Sequence, residues 1–255
     1  MTDLFSPLGA NLIFASGVWL LSLRRRNASL VDLIWPLMFV LAAWIWLDSA
    51  TAGLWQWLTL GLVMAWGLRL HVHLAVRNLG EPEDRRYADM RRRHSPGFWW
   101  KSFFIVFVLQ AVLAWIASFA ILGAMGDGHL APVAATGVLL AVFGFGFEAL
   151  GDWQLARFMA DPGNRGQVMG GGLWRYTRHP NYFGECCFWW GIGVVAISAG
   201  AWWALVSPIL LTALLLKVSG VSLLERDISE RRPGYGEYVK NTPAFFPALF
   251  PKREG

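Results

Sequence analysis

The densest run of chemically capable side chains lies between Glu148 and Glu185. Glu148 and Asp152 are four apart, which puts both carboxylates on one face of a helix. Gly163, Gly166, Gly170, Gly171 and Gly172 are then interleaved with Arg157, Arg165, Arg175 and Arg178. Glycine lets backbone amides approach an anion, and a guanidinium fork grips phosphate oxygens two at a time, so these residue types suit a phosphate cradle. They suit equally a solvated loop that carries the positive charge of a membrane's cytoplasmic side. No strand precedes the glycines, and their spacing is not that of a Rossmann fingerprint. Glu185 tips the balance, because it stands beside Cys186-Cys187-Phe188-Trp189-Trp190. A carboxylate inside an apolar segment is expensive and marks a functional site unless it snorkels to water at headgroup level. Arg178, His179 or a ligand's hydroxyl or amine would serve as its partner.

The C-terminal tail repeats the pattern. Glu225, Arg226 and Asp227 precede Pro233-Gly234-Tyr235-Gly236-Glu237-Tyr238. Tyr235 and Tyr238, three apart, share one face of a short helix. Their rings can stack on an adenine-like ring or anchor the chain at a membrane interface. His71 and His73 lack a third and fourth ligand at suitable spacing, so no metal site is expected.

The elements that must position these residues follow from composition. The chain has 255 residues, 56% hydrophobic and 15% charged, with 16 Trp and 17 Phe. This is the profile of an all-α polytopic membrane protein, and it excludes disorder, coiled coil, collagen and a secreted disulfide scaffold. The two cysteines, Cys186 and Cys187, are adjacent in an apolar run and read as small buried hydrophobes. Seven apolar runs, approximately 8–23, 33–47, 54–68, 103–125, 130–147, 183–197 and 201–216, predict seven transmembrane helices, with Ser198-Ala199-Gly200 as a tight turn. Long connections are expected over Arg69 to Lys101 and Glu148 to Tyr182.

Counting alternate sides, all 22 Lys and Arg fall on one face, while the other carries only Asp3, Asp48, Asp127 and His129. The positive-inside rule then sets the N-terminus outside and the C-terminus in the cytoplasm. It also accounts for the net charge of +5 without a nucleic-acid partner. Arg24-Arg25-Arg26 follow the first helix where a cleaved signal would have small residues, so that helix is expected to be retained. One integral membrane domain is expected over 1–255, with substrate-side residues in 1–125 and cofactor loops in 126–255. No obligate protein partner is implied.

Arg175 to Glu185, with Glu225 to Asp227 and Pro233 to Tyr238 continuing through Pro247, resembles the C-terminal domain of the steroid 5-alpha-reductase family, and its bacterial branch most closely. The resemblance is specific over about Glu148 to Pro247. In the first half it is looser and runs through Val31-Asp32-Leu33-Ile34-Trp35 and Asp84-Arg85-Arg86-Tyr87. It implies seven helices in the bacterial inner membrane, NADPH in a cytoplasm-facing cavity, and reduction of the 4,5 double bond of a 3-oxo-4-ene steroid or related lipophilic enone. It also implies that Asp152, Tyr176, Asn181, Glu185, Asp227, Tyr235 and Tyr238 lie at or near cofactor-contacting positions. The neighbouring Arg157, Arg175, Arg178, His179, Tyr182 and Glu225 join the expected cofactor set, with Arg178 and Arg157 favoured at phosphates.

Hydride transfer to C5 of an enone builds negative charge on the 3-oxygen, so a hydrogen-bond donor must stand there in a water-poor site. Asp32 is the only carboxylate at the start of the second helix, and burial would keep it protonated as that donor. Capping its own helix is the plainer role for the same residue. Trp35 follows on the same face, and Trp35 and Trp189 are expected beside the substrate. Tyr87 and His71 share the cytoplasmic entrance as further catalytic candidates. The Arg-His-Pro-x-Tyr pattern and Tyr-x-x-Tyr also resemble isoprenylcysteine carboxyl methyltransferases, which use S-adenosylmethionine. That cofactor has one carboxylate where NADPH has a pyrophosphate and a 2'-phosphate, so four arginines favour the dinucleotide.

Overall fold

A computed structural model describes residues 4–218 and 234–248, and every regular element among them is helical. The elements are α1 (Ser6–Arg25), α2 (Leu30–Trp46), α3 (Leu54–Asn78), α4 (Arg85–Arg93), α5 (Phe98–Ala124), α6 (Ala131–Ala160), α7 (Pro180–Ser198), α8 (Trp202–Lys217) and α9 (Tyr235–Asn241). Residues 103–108 of α5 wind as a π-helix, and short 3-10 turns occupy Pro162–Asn164 and Gly172–Arg175.

Each of the seven apolar runs lies on a helix. Four of those helices, α1, α3, α5 and α6, are long and apolar enough to cross a membrane, at 20, 25, 27 and 30 residues. α2, with 17 residues, is about 26 Å long, shorter than the roughly 30 Å hydrocarbon core. α8 is likewise a shorter apolar helix. α7 has 19 residues and opens on the polar stretch Pro180 to Glu185. The predicted turn is present: Ser198 ends α7, Gly200 takes a left-handed φ of 80°, and the Gly200 and Ala201 amides donate to the Ile197 and Ala196 carbonyls. Only a left-handed residue closes this double bond pattern, and glycine holds it without strain.

Two expected connections begin later than the charge pattern implies. α3 runs on through His71 to Asn78, because Leu70, Val72, Leu74 and Val76 continue its apolar content and no breaker comes before Gly80. α6 carries Glu148, Asp152 and Arg157 as helical residues, and the glycine-rich loop opens only at Asp161, where the carboxylate accepts from the Gly163 amide at 2.8 Å.

The chain divides into two compact units, Met1–Ala134 with Val195–Ser207, and Ala135–Val194 with Pro208–Gly255, a division that passes through α6, α7 and α8. In the first unit Met38, Phe39, Ala42 and Ala43 of α2 and Val63 and Trp66 of α3 are fully buried. Phe39 stands edge-on to Trp66 with centroids 5.6 Å apart. A Cβ on Gly67 would come within 2.6 Å of Val40 Cγ2 and 3.0 Å of the Pro36 carbonyl oxygen, so that glycine sets how closely α2 and α3 approach.

In the second unit α6 and α7 cross with their backbones in contact. A Cβ on Gly144 would lie 2.3 Å from the Phe188 nitrogen, one on Gly184 2.4 Å from the Glu148 nitrogen, and one on Gly191 2.4 Å from the Ala141 nitrogen. Small residues at such a crossing are how membrane helices gain close packing. Gly144→Ala should therefore force the helices apart and destabilise by about 1–3 kcal/mol. Gly146→Ala, on the same helix with open space around it, should be neutral or slightly stabilising. Melting temperatures of the two variants check this, and equal values would refute it.

Candidate functional site

In the first unit, three connections converge on the opening turn of α2. Asp84 caps α4 by accepting from the Arg86 amide at 2.9 Å, while its own amide donates to Ser29 Oγ at 2.8 Å. One residue earlier, Glu83 accepts from the Ala28 amide at 2.7 Å and from both Nε and Nη2 of Arg91, at 2.9 and 2.7 Å. The turn between α1 and α2 is thus tied to the segment that starts α4. α4 in turn lays two consecutive side chains on Asp32: Tyr87 donates its hydroxyl to Oδ1 at 2.6 Å and Arg86 donates Nη2 to Oδ2 at 2.8 Å. Arg86 also reaches Asp84 through Nε at 3.0 Å.

Tyr87 is buried, and burial, reinforced by the Asp32 charge, pushes its phenol well above the ordinary value of 10.0 against the opposing pull of Arg86. The hydroxyl therefore stays protonated. Burial works against the charged form of Arg86, but the Asp32 and Asp84 carboxylates outweigh it and hold the guanidinium above its usual range. Asp32 has a donor on each oxygen. In this arrangement it accepts from both, and the single O–H of Tyr87 is engaged on it.

Glu83 follows the opposite logic to Tyr87. Burial alone would raise it, yet the bonds from Arg91 and Ala28 outweigh that and hold it below its ordinary 4.5. A depressed carboxylate contributes stability above the unfolded value and loses it as pH falls through the folded one, so the Glu83 contribution should fade below about pH 4.5. In Glu83→Gln the difference in melting temperature between pH 7 and pH 4 should shrink, and an unchanged difference would rule this out.

His71, on α3, donates Nδ1 to the Leu33 carbonyl at 2.7 Å, since a carbonyl can only accept. It braces α2 one turn before Pro36, and no bond joins it to Asp32 or Tyr87 among the described residues. Trp35 packs edge-on to Phe39 with centroids 5.2 Å apart. Trp189, in the second unit, is fully buried against Phe188.

The second unit assembles most of the remaining expected residues. Asn181, in the first turn of α7, donates Nδ2 to Asp152 Oδ1 at 3.1 Å, and its own Oδ1 is buried without a donor. Glu185 lies one turn further along the same face and is half-buried. The turn before α7 is stapled to α6, with Trp174 Nε1 donating to the Gly151 carbonyl at 3.0 Å and the Leu173 amide to Gln154 Oε1 at 2.9 Å. Tyr238 donates its hydroxyl to the Trp174 carbonyl, and the Tyr235 and Tyr238 rings lie 5.8 Å apart. The His179 and Tyr182 rings stack at 5.5 Å and 9°.

Arg178, expected at a phosphate, is buried and donates Nη1 to the Val239 carbonyl at 3.2 Å, while its amide donates to Pro243. Together with Thr177, whose hydroxyl donates to the Phe245 carbonyl at 2.9 Å, it zips the C-terminal segment onto the start of α7. Arg157 lies exposed with its guanidinium 5.5 Å from the Trp153 ring, and Arg165, Arg175 and Tyr176 are exposed as well. Glu225 and Asp227 lie outside the described residues. No group of three or more His, Cys, Asp and Glu able to hold a metal occurs among the described residues.

Sequence reasoning missed Arg86, Glu83 and the Trp174–Tyr238 lock. The signal for Arg86 was available: an acid at the head of an apolar helix needs a cation, and Asp84-Arg85-Arg86-Tyr87 offered one beside the chosen tyrosine.

These features define an all-helical protein, with four helices long and apolar enough to cross a membrane, that carries a clamped tyrosine–carboxylate pair in one unit and an amide–carboxylate pair in the other. Residues 18–242 match the family described as Protein of unknown function (DUF1295), and the chain belongs to that family. No curated protein and no solved structure matches it.

Proposed function

We propose that this protein is a membrane-embedded NADPH-dependent reductase that saturates the 4,5 double bond of a 3-oxo-4-ene steroid or related lipophilic enone. The observation that carries this reading is the Tyr87 hydroxyl, kept protonated and aimed by the Asp32–Arg86 pair at the head of a membrane helix. Reduction of an enone needs one such donor at the carbonyl oxygen, where charge develops. The resemblance of Arg175 to Glu185 and of the tyrosine-bearing tail to steroid 5-alpha-reductases points the same way.

The donor set of the second unit fits the nucleotide. Asn181 offers a buried oxygen that lacks a donor, which a carboxamide or ribose hydroxyl would supply. Asp152 fixes which way that amide faces, and the exposed Arg157, Arg165 and Arg175 are the cations available to phosphates. Bound NADPH would supply the hydride to C5, and water the proton that C4 takes up. Tyr87 would turn its one O–H from Asp32 Oδ1 to the substrate oxygen as charge builds there, Arg86 holds Asp32 in place, and His71 holds the opening of α2 in register. In this reading α2, α7 and α8 complete seven crossings, with the N-terminus outside and the basic connections and nucleotide on the cytoplasmic side.

The test is to incubate detergent-purified protein with NADPH and progesterone or testosterone. The expected result is NADPH oxidation matched by a product heavier by two hydrogens. A product one methyl heavier in the presence of S-adenosylmethionine, with no NADPH consumed, would overturn the reductase in favour of a methyltransferase.

A further inference from the structure

A concave site lies in the first unit, beside the turn that Glu83 ties to Ala28 and Arg91. It has a volume of ≈ 220 Å³ and is walled by Ser22 and Arg26 at the end of α1, Arg91 of α4, and Phe98, Trp99 and Ser102 at the start of α5. That space is several times the volume of one water and below that of a drug-sized ligand site, which suits a small headgroup.

Three independent features say what it would hold. Arg26 is the one residue other than glycine with a positive φ among the described residues, at 51°, and its amide and that of Asn27 close the end of α1 onto Leu23 and Ser22. Glycine would adopt this conformation freely, so an arginine held there marks a position where the side chain matters. The Arg26 guanidinium has no hydrogen bond or ion pair among the described residues. Across the cavity, Arg91 is held in place by its two bonds to Glu83 and lies 4.7 Å from the Phe98 ring centroid. One fixed guanidinium and one with no partner among the described residues, both on the wall of one cavity, make a receptor for an anion with several oxygens.

The surroundings favour a lipid as its carrier. Trp19 donates Nε1 to the Trp99 carbonyl and to Ser102 Oγ, both at 3.3 Å, so an indole sits at the rim. Leu21, Trp99, Trp100 and Phe104 expose large apolar surfaces beside it. Indoles and basic side chains at one level are the composition of a membrane interface. We propose that this cavity binds a phosphate group, carried by the headgroup of an anionic phospholipid. The assignment does not depend on the reductase reading.

The experiment measures the melting temperature of the detergent-purified protein against dihexanoyl phosphatidic acid, dihexanoyl phosphatidylcholine and inorganic phosphate. Phosphatidic acid should stabilise the wild type in a saturable way. Its apparent affinity should fall at least tenfold in both Arg26→Gln and Arg26→Gly. The glycine variant relieves the backbone, so its melting temperature without lipid should match or exceed that of the wild type, which separates lost binding from lost folding. Arg24→Gln, which removes an equal charge from the same helix end outside the cavity, should retain affinity. Inorganic phosphate binding as tightly, with the same dependence on Arg26, would keep the site and make a free anion its occupant. Equal stabilisation by phosphatidylcholine, no stabilisation by any of the three, or an equal loss in Arg24→Gln would overturn the proposal.

Discussion

Tyr87→Phe should lower the rate of enone reduction by about 10²- to 10³-fold, the usual effect of removing a donor from a developing oxyanion. NADPH affinity should be unchanged, because Tyr87 belongs to the unit that carries Asp32 and not to the one that carries Asn181. The Asp32 variants separate positioning from proton donation. Asp32→Asn keeps an oxygen that can accept from Tyr87 and should remain more active than Asp32→Ala, which leaves Arg86 and Tyr87 without their shared acceptor. If the cluster only stabilises the fold, Tyr87→Phe costs about 1 kcal/mol of stability and leaves the single-turnover rate per folded molecule intact. The pH profile is a second check. With the phenol held well above 10.0, this group should give no alkaline limb below about pH 10.

Under the proposed function, the Asn181–Asp152 pair gives the second large effect. Asn181→Ala should weaken NADPH binding by more than tenfold, about 1.4 kcal/mol, because it removes both the buried acceptor and the bond that fixes Asp152. Asn181→Asp should be worse than alanine. It sets a second carboxylate against Asp152 across a contact of 3.1 Å, where like charges repel. Fluorescence titration of NADPH orders the three proteins. An alanine variant that binds like the wild type would reduce the pair to a packing contact between α6 and α7.

The helices were legible because long apolar runs announce themselves: those from Leu8 to Leu216 each became a helix, and Ser198 to Gly200 turned where the uncharged run was too long for one helix. Helix ends were less legible. A charge at Arg69 or Glu148 reads as the end of a span, yet a helix needs only its own backbone bonds and continues until a breaker stops it, as α3 and α6 do. Side-chain roles were the least legible. Asp32, Tyr87, Asp152 and Asn181 were chosen by residue type and by resemblance. That Arg86 reaches Asp32, and that Arg178 grips the Val239 carbonyl, depend on partners 54 and 61 positions away in sequence. Spacing along the chain carries no information about such pairs.

The clamp on Asp32 has a consequence during synthesis. Its two donors lie 54 and 55 residues downstream, on a helix made only after all of α3. At about 5–20 residues per second, the ribosome reaches Arg86 roughly 3–10 s after Asp32. During that interval the leading turn of α2 holds an acid without its cation, on a helix about 26 Å long that is already short for the bilayer. The head of α2 therefore has reason to stay in water until α4 arrives, so the order of assembly in this unit is set by one ion pair.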